Sequence, residues 1–257
     1  NFLPKDLNKE INTMEDLEKF TQSFYGYGNI NSDIWFIGHE EGSKQNSINE
    51  LDARVKTWKK LGKKTLCDCR EFHLELKMGN EDPFTKGKRQ ATWSKYIEIL
   101  KEIKNLSIYD VNSKKKYLQY KFARNDSDHA LIELFPIPCS NLPSWNYSEL
   151  AKEISYFDSK ENYRNHIVDF RLKKIIDLID EHKPKIIIFN GVGMGKYQTL
   201  IFWEKIINDK FNEITHGKNR YFFKNKKDTN FFIIPKLIYA SNEIIYNVGR
   251  QANKLFK

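Results

Sequence analysis

The chain has 257 residues, of which 43 are Lys or Arg and 34 are Asp or Glu, and 40% of all residues are hydrophobic. This composition supplies enough apolar side chains for a folded core and excludes disorder as the main state. The longest apolar runs have only four or five residues, whereas a membrane span needs about 20. We therefore expect no membrane segment.

The cysteine content bears on compartment and on metal binding. Cys67, Cys69 and Cys139 are an odd number and cannot all pair, and the first residues lack the basic start and apolar run of a secretory signal. We therefore expect a cytoplasmic protein. One residue separates Cys67 from Cys69, which is too close for the usual zinc knuckle, and no fourth thiol exists. We predict neither a metal site nor a cofactor.

The formal net charge of +9 favours a polyanionic partner, because each phosphate that a protein neutralises releases condensed counterions. Aromatic residues make up 14% of the chain. These features favour a nucleic acid as the partner, and the alternative is that the charge only keeps the protein soluble. The basic residues cluster at 59–64, 86–89, 114–116 and 224–227.

Short apolar runs alternate with longer amphipathic ones, which is typical of a parallel sheet covered by helices. In chain order, this pattern predicts helices over 15–25, 48–60, 93–104, 162–182, 197–208 and 244–256. It predicts parallel strands over 33–38, 129–135, 184–189 and 237–239, and a hairpin over 220–223 and 231–234. With 12 Gly and 7 Pro, a long linker is not expected, so we predict one domain over 1–257. It includes an N-terminal helical extension over 1–32 and an irregular basic insertion over 61–92.

Ligands of open α/β sheets bind beyond the carboxyl ends of the strands, so the residues after each strand are the candidates for a site. The first strand runs into His39, Glu40 and Glu41, which Gly38 and Gly42 flank. Glycine lets a backbone approach a ligand, and a carboxylate there can orient water or stabilise developing positive charge. The alternative is a solvated turn in which Glu41 is an ordinary surface acid.

Glu133 interrupts the apolar second strand, which Pro136 and Pro138 are expected to end. A carboxylate inside a buried strand costs several kcal/mol unless it is paired or hydrogen-bonded. It is therefore either a structural ion pair or a hydrogen-bond acceptor that faces a ligand.

The third strand is followed by Gly191, Gly193, Gly195 and Lys196. Their spacing is not that of a dinucleotide fingerprint, and Tyr197 stands where a phosphate loop needs Ser or Thr. We predict a tight strand-to-helix turn whose backbone amides lie near phosphate.

Before the last helix, Tyr239, Ser241 and Asn242 place a phenol, a hydroxyl and an amide together, although Ser241 or Asn242 could simply cap that helix. Five scattered histidines lack the spacing of metal ligands, namely His73, His129, His166, His182 and His216.

These four segments, in this order, resemble the uracil-DNA glycosylase superfamily over about residues 33–256. Members of that family carry a Gly-rich, water-activating loop after the first core strand and a His-Pro-Ser-like loop before the last helix. Here both glycines of the first loop are kept, Glu40 stands at the Asp or Asn position, and Glu41 replaces proline. Residues 239–241 match His-Pro-Ser only at Ser241, and Glu133 lies at or near the family's base-reading Asn.

The resemblance implies a three-layer α/β/α sandwich with a central, mostly parallel four-stranded sheet, and a protein that acts on DNA as a monomer. It implies a DNA glycosylase that flips a base out of the duplex and hydrolyses its N-glycosidic bond. Some members of the superfamily are defence proteins that remove modified bases from phage DNA, so both repair and antiviral defence are open. The alternatives are an inactive DNA-binding protein of the same fold and an unrelated Rossmann-like nucleotide-binding enzyme.

The same resemblance implies a role for each candidate residue. Glu40 and His39 would be catalytic, directing water at the sugar, and Glu133 and Tyr239 would bind the base. A carboxylate accepts well from the amino group of cytosine, so Glu133 favours a modified cytosine over uracil. Ile244 or Ile245 would wedge into the vacated stack. The phosphates would be bound by Ser241, Asn242, Gly191 and Lys196.

Overall fold

The computed structural model describes residues 14–43, 46–77, 84, 90–140, 145–191, 199–217 and 219–256. The helices are α1 (Met14–Ser23), α2 (Ile48–Lys60), α3 (Cys69–Leu76), α4 (Ala91–Lys104), α5 (Val111–Tyr120), α6 (Lys160–His182), α7 (Thr199–Ile207) and α8 (Asn242–Phe256). The strands are β1 (Gly26–Gly28), β2 (Ile34–Gly42), β3 (Leu66–Cys67), β4 (His129–Cys139), β5 (Ile186–Asn190), β6 (Asn212–His216), β7 (Asn219–Lys226) and β8 (Thr229–Ile234). Short 3-10 helices cover Ser148–Lys152, Ser155–Phe157 and Leu237–Tyr239.

The strands form one mixed sheet in the order β3-β1-β4-β2-β5-β8-β7-β6. The predicted α/β class is confirmed, but the sheet has eight strands rather than four. Its central strands β4, β2, β5 and β8 are parallel to one another, whereas β1 and β7 run antiparallel to their neighbours β4 and β8. The sequence pattern did not reveal β1 and β3, because strands of three and two residues are too short to show a period.

The helices cover both faces of this sheet. On β2, the ring of Trp35 lies 6.2 Å from His182 of α6, and the ring of Phe36 lies 4.3 Å from Tyr96 of α4. Successive side chains of β2 therefore point to helices on opposite faces. Helix α8 packs closely on α4, since a Cβ on Gly249 would lie 2.5 Å from the side chain of Glu102.

The strand order creates a switch point between β2 and β5. After β2 the chain continues to β3 and β4 on one side, and after β5 it continues to β6, β7 and β8 on the other. Connections that depart in opposite directions open a crevice beyond the carboxyl ends of the two strands, which is where α/β proteins bind ligands. His39 to Glu41 and Asn190 stand at these two strand ends.

Two predicted strands differ from the structure. Residues 237–239 form a 3-10 helix rather than a strand, and β8, which was predicted only as part of a hairpin, is the last parallel strand. The hairpin of β7 and β8 is confirmed. Strand β4 continues through Pro136 and Pro138 to Cys139, because β1 pairs with it only at residues 130–132. Beyond them no strand in the described part of the chain pairs with that edge of β4, and proline is tolerated at such an edge.

The predicted subdivisions are more structured than expected. The stretch 61–92 contains β3 and α3, and the extension 1–32 contains α1 and β1, while residues 1–13 lie outside the described part. Helix α5 was not predicted, since Leu118 is its one buried residue. No helix in the described part of the chain is long and apolar enough to cross a membrane.

Arg171 of α6 joins that helix to the sheet. Its side chain is fully buried and donates hydrogen bonds of 2.7 to 2.9 Å to the carbonyl oxygens of Leu134, Thr21, Phe24 and Glu133. The guanidinium also lies 3.6 Å from the centre of the Tyr25 ring. Because one of its acceptors is the Glu133 carbonyl, Arg171 fixes the backbone of β4 at the crevice.

Candidate functional site

A cluster of charged side chains lies at the carboxyl end of β2. It comprises His39 and Glu40 of β2, Lys160 and Arg164 of α6, and Lys236 after β8, and we call it the strand-end cluster. Lys160 and Arg164 are one helical turn apart at the start of α6, which Ser159 caps. The cluster therefore forms where the first turns of α6 meet the end of the central strand.

Glu40 is held by two cations. Its Oε1 accepts from Lys160 Nζ at 2.9 Å, its Oε2 accepts from Arg164 Nη2 at 2.8 Å, and its side chain is only 9% exposed. The register between β2 and β4 shifts between Glu40 and Gly42, and such irregularities redirect side chains. The ion pairs fix the carboxylate at the crevice.

His39 is a neutral imidazole in this cluster. Burial, together with Arg164, Lys160 and Lys236, holds the pKa of His39 well below its ordinary value. Arg164 Nη2 lies 3.4 Å from His39 Nδ1, and a guanidinium can only donate, so Nδ1 is the acceptor and Nε2 carries the proton. The imidazole packs against the rings of Phe135 at 4.8 Å and Phe202 at 6.3 Å.

Glu41 belongs to a separate buried network and is not a surface acid. It accepts from Arg54 Nη1 at 2.9 Å and from the Tyr27 hydroxyl at 3.0 Å, and His73 Nε2 lies 3.5 Å from it. Burial alone would raise the pKa of Glu41, but Arg54 and His73 outweigh that effect and hold it well below its usual range. Arg54 also donates to Glu50, so this network joins β2 to α2.

Glu133 faces Gly38 across the β2–β4 pair, where the two residues are in register. Burial, followed by the carboxylates of Glu41 and Glu40, raises the pKa of Glu133 well above its usual range, and Arg171 opposes this effect only in part. Its surroundings therefore favour the protonated, neutral form of the carboxyl over the carboxylate. Its raised pKa argues against a structural ion pair, which was the alternative interpretation of Glu133.

A side chain at position 38 would meet the carboxyl of Glu133, whereas the backbone angles of Gly38 do not themselves call for glycine. A Cβ at Gly38 would lie 2.3 Å from Oε2 and 3.0 Å from Oε1 of Glu133. Gly38 is not among the glycines with positive φ, and a Cβ at Gly42 would have no atom within 4 Å. The two glycines of the loop thus have different roles, and only Gly38 makes room for the site.

We expect Gly38→Ala to destabilise the protein by about 1–3 kcal/mol, because the methyl group overlaps the Glu133 carboxyl. In a Glu133→Ala background the same change meets no carboxyl and costs much less. Urea unfolding of the two single variants and the double variant measures this coupling. Strictly additive losses would show that the contact with Glu133 is not what requires glycine.

The raised pKa of Glu133 also predicts how stability depends on pH. Above about pH 4.3 the unfolded chain releases this proton, whereas the folded protein keeps it until the pH passes its raised pKa. Glu133 therefore makes the free energy of unfolding decrease as the pH rises through that interval. We expect Glu133→Gln to unfold at higher urea concentration than the wild type at pH 8 and at a similar one at pH 4. A variant less stable than the wild type at pH 8 would contradict the neutral carboxylic acid.

The other predicted site residues that the structure describes lie at the same end of the sheet, in different settings. Tyr239 is 79% exposed on the 3-10 helix. Ser241 caps α8, since its Oγ accepts from Ile244 N at 3.2 Å, and Asn242 is exposed and accepts from Lys95 Nζ at 2.8 Å. Gly191 has a φ of 108°, as expected of a tight turn after β5. Lys196 lies outside the described residues.

Several residues at the site were not predicted. Lys160 and Arg164 could have been singled out from the sequence, because they are basic residues at an i, i+4 spacing at the start of a long helix. Asn190 carried the same signal as the other strand-end residues, because it directly follows the predicted strand 184–189, whereas Tyr96 had none. The Tyr96 hydroxyl contacts the Asn190 side chain, and Asn190 Oδ1 accepts from Leu237 N at 3.0 Å. Phe202 was indistinguishable from the other aromatic residues of its helix.

The three cysteines are buried and unpaired in disulfides. Burial raises the pKa of Cys139 to about 11, so its thiol is protonated and unreactive at neutral pH. Among the described residues, no group of three His, Cys, Asp or Glu side chains is arranged to hold a metal ion.

The sequence matches no protein-family model, and no curated protein is significantly similar to it.

Proposed function

We propose that this chain is a DNA glycosylase, which hydrolyses the N-glycosidic bond of a flipped-out, non-canonical base and leaves an abasic site. The observation that carries the proposal is the strand-end cluster, in which the carboxylate of Glu40 is fixed beside the neutral imidazole of His39. It lies at the switch point of the parallel strands, where the sequence resemblance to the uracil-DNA glycosylase superfamily puts the water-activating loop.

The charge of the chain supports DNA as the partner. A net charge of +9 favours association with phosphates, and the binding is expected to weaken steeply with salt. The strand-end cluster contains three cations, Lys160, Arg164 and Lys236, but one acid, Glu40. A strand of DNA is thereby drawn to the end of the sheet that holds the acid.

In the proposed reaction, extrusion of the nucleotide costs a few kcal/mol, which phosphate contacts offset. Glu40 holds a water molecule against the sugar carbon and stabilises the positive charge that develops there as the bond breaks. The Nε2–H of His39 and the ammonium of Lys160 stabilise the negative charge that moves onto the leaving base.

Glu133 reads the base edge in this proposal, but as a neutral acid rather than as a carboxylate. A carboxylic acid presents one O–H donor and one carbonyl acceptor side by side. It can thus donate to N3 of cytosine while it accepts from the amino group. A modified cytosine remains the favoured base, and Tyr96, which interacts with both Glu133 and the Asn190 side chain, is a further candidate for contact with it.

The side chain that would wedge into the base stack is not one of the two that the sequence predicted. Ile244 and Ile245 are 4% and 1% exposed and belong to the core, so neither can enter a base stack. Ile238 and Tyr239 are 48% and 79% exposed in the 3-10 helix before α8. Two large apolar side chains on a short, hydrogen-bonded turn are suited to fill the gap that a flipped base leaves.

A second candidate function is DNA binding without cleavage. The ion pairs of Glu40 with Lys160 and Arg164 favour it, because both carboxylate oxygens already have partners. The two functions differ only in whether abasic sites form.

The test is incubation of the protein with duplexes that each contain one uracil, cytosine or 5-substituted cytosine, followed by alkali to cleave abasic sites. The glycosylase proposal expects strand breaks at the position of one of these bases and none without alkali. Tight binding to every duplex with no alkali-labile site on any of them would favour the non-catalytic function.

A further inference from the structure

The Glu133 carboxyl has an unused oxygen inside the site. Its Oε2 is buried and has no hydrogen-bond partner in the part of the chain that the structure describes, while the residue as a whole keeps some exposure. A buried polar atom without a partner costs free energy, so its presence needs a reason such as an absent ligand. Gly38 leaves the space that the carboxyl fills.

The groups around this carboxyl disfavour its ionisation. The carboxylates of Glu41 and Glu40 on β2 act on it electrostatically, as does Tyr96 of α4. Arg171 approaches from α6, but its hydrogen bonds go to backbone carbonyls, including that of Glu133 itself, and not to the carboxylate. Glu40 is thus paired with cations, whereas Glu133 Oε2 has no partner in the described part of the chain.

We infer that Glu133 is the general acid of the reaction and donates its proton to a ring nitrogen of the base as the N-glycosidic bond breaks. This inference rests on the proposed glycosylase function and goes beyond base recognition. It makes Glu133 a catalytic residue, since its O–H touches the reacting base.

In the proposed step Glu133 gives one proton to the base and Glu40 receives one proton from water. The electron pair of the C1′–N bond moves onto the base, the Glu133 proton passes to a ring nitrogen of that base, and the base leaves as a neutral molecule. Water forms the new bond to C1′ and gives one proton to Glu40. Loss of that proton to solvent, and uptake of one by Glu133, restores both groups for the next turnover.

The inference defines the substrate class by chemistry. The base must carry a ring nitrogen with a free lone pair that lies opposite Glu133. Cytosine and its 5-substituted forms have one at N3, whereas N3 of uracil carries a hydrogen. A uracil could still hydrogen-bond to a neutral carboxylic acid, but its N3 could not accept the proton. Cytosine-type bases are therefore the substrates that gain from the acid.

The test is single-turnover cleavage by the wild type and Glu133→Gln as a function of pH, on three duplexes. One contains a 5-substituted cytosine, one uracil, and one 5-fluorouracil, a base that leaves readily as an anion. With the wild type we expect cleavage of the cytosine duplex to slow as the pH rises and Glu133 ionises. Glu133→Gln should lose about 10²-fold or more on that duplex, together with the pH dependence, and lose far less on 5-fluorouracil.

The outcomes separate this inference from the proposed function. If the wild type is active but Glu133→Gln keeps its pH profile, or loses the same factor on all three duplexes, Glu133 only reads or positions the base and the inference is overturned. If the wild type forms no abasic site on any duplex, the proposed function itself fails and the general acid fails with it.

Discussion

Glu40→Gln should lower the rate of base excision by about 10²- to 10⁴-fold, the range typical of a lost general base. The substitution keeps the size of the side chain and removes the charge that would orient water and stabilise the sugar cation. It also removes the anion between Lys160 and Arg164, so we expect DNA affinity to stay the same or to increase. Cleavage under single-turnover conditions and binding to the same duplex measure the two effects separately.

A suitable control is Glu181→Gln, which removes an acid from the far end of α6 with a side chain that is 67% exposed. It should cleave like the wild type. The thermal midpoint of Glu40→Gln shows whether the variant folds, and Glu40→Asp, which keeps the charge, supplies a second measurement. Full activity in folded Glu40→Gln would remove Glu40 from the chemistry.

Arg171→Met should produce the largest loss of stability, about 3–5 kcal/mol, because a buried cation that satisfies four carbonyl oxygens is replaced by a side chain that cannot donate. For a chain of this size, such a loss lowers the melting temperature by roughly 10 °C. Urea unfolding at pH 7 gives the free energy directly.

The matched control is Lys173→Met on the same helix, where the side chain is 76% exposed and pairs only with Asp177. Surface substitutions of this kind change stability by less than about 0.5 kcal/mol. Burial lowers the pKa of Arg171 only to about 10, so the guanidinium remains charged at pH 7. Equal stability of the two variants would show that the carbonyl oxygens do not depend on Arg171.

Helices and strands whose hydrophobic residues repeat with a clear period were predictable from the sequence. The strands at the edges of the sheet were not. Helix α2 lies where its amphipathic pattern predicted it, and α4 begins two residues earlier than expected. Strand β8 was misassigned as only a hairpin strand, because pairing with a distant strand leaves no mark on local sequence. The 3-10 helix at Leu237–Tyr239 has the composition of a short strand, and tertiary packing decided its conformation.

The site residues that lie on the strands were predictable from the sequence, and those that lie on the helices were not. The sequence singled out Glu40, His39 and Glu133, because ionisable residues at the end of a buried strand contradict its apolar pattern. The cations that contact Glu40 and His39 come from α6, about 120 residues along the chain from β2. No spacing rule links Glu40 to Lys160, and whether Glu133 is neutral or ionised depends on contacts that only the fold brings together.

Detection of the free base is the most direct measurement of the proposed activity. DNA with modified cytosines is incubated with the wild type or with Glu40→Gln, the macromolecules are removed, and the filtrate is analysed by mass spectrometry. We expect the wild type to release one intact, modified base in an amount equal to the abasic sites formed, and Glu40→Gln to release almost none. DNA that is bound by the wild type but yields no free base would contradict the assignment of this chain as a glycosylase.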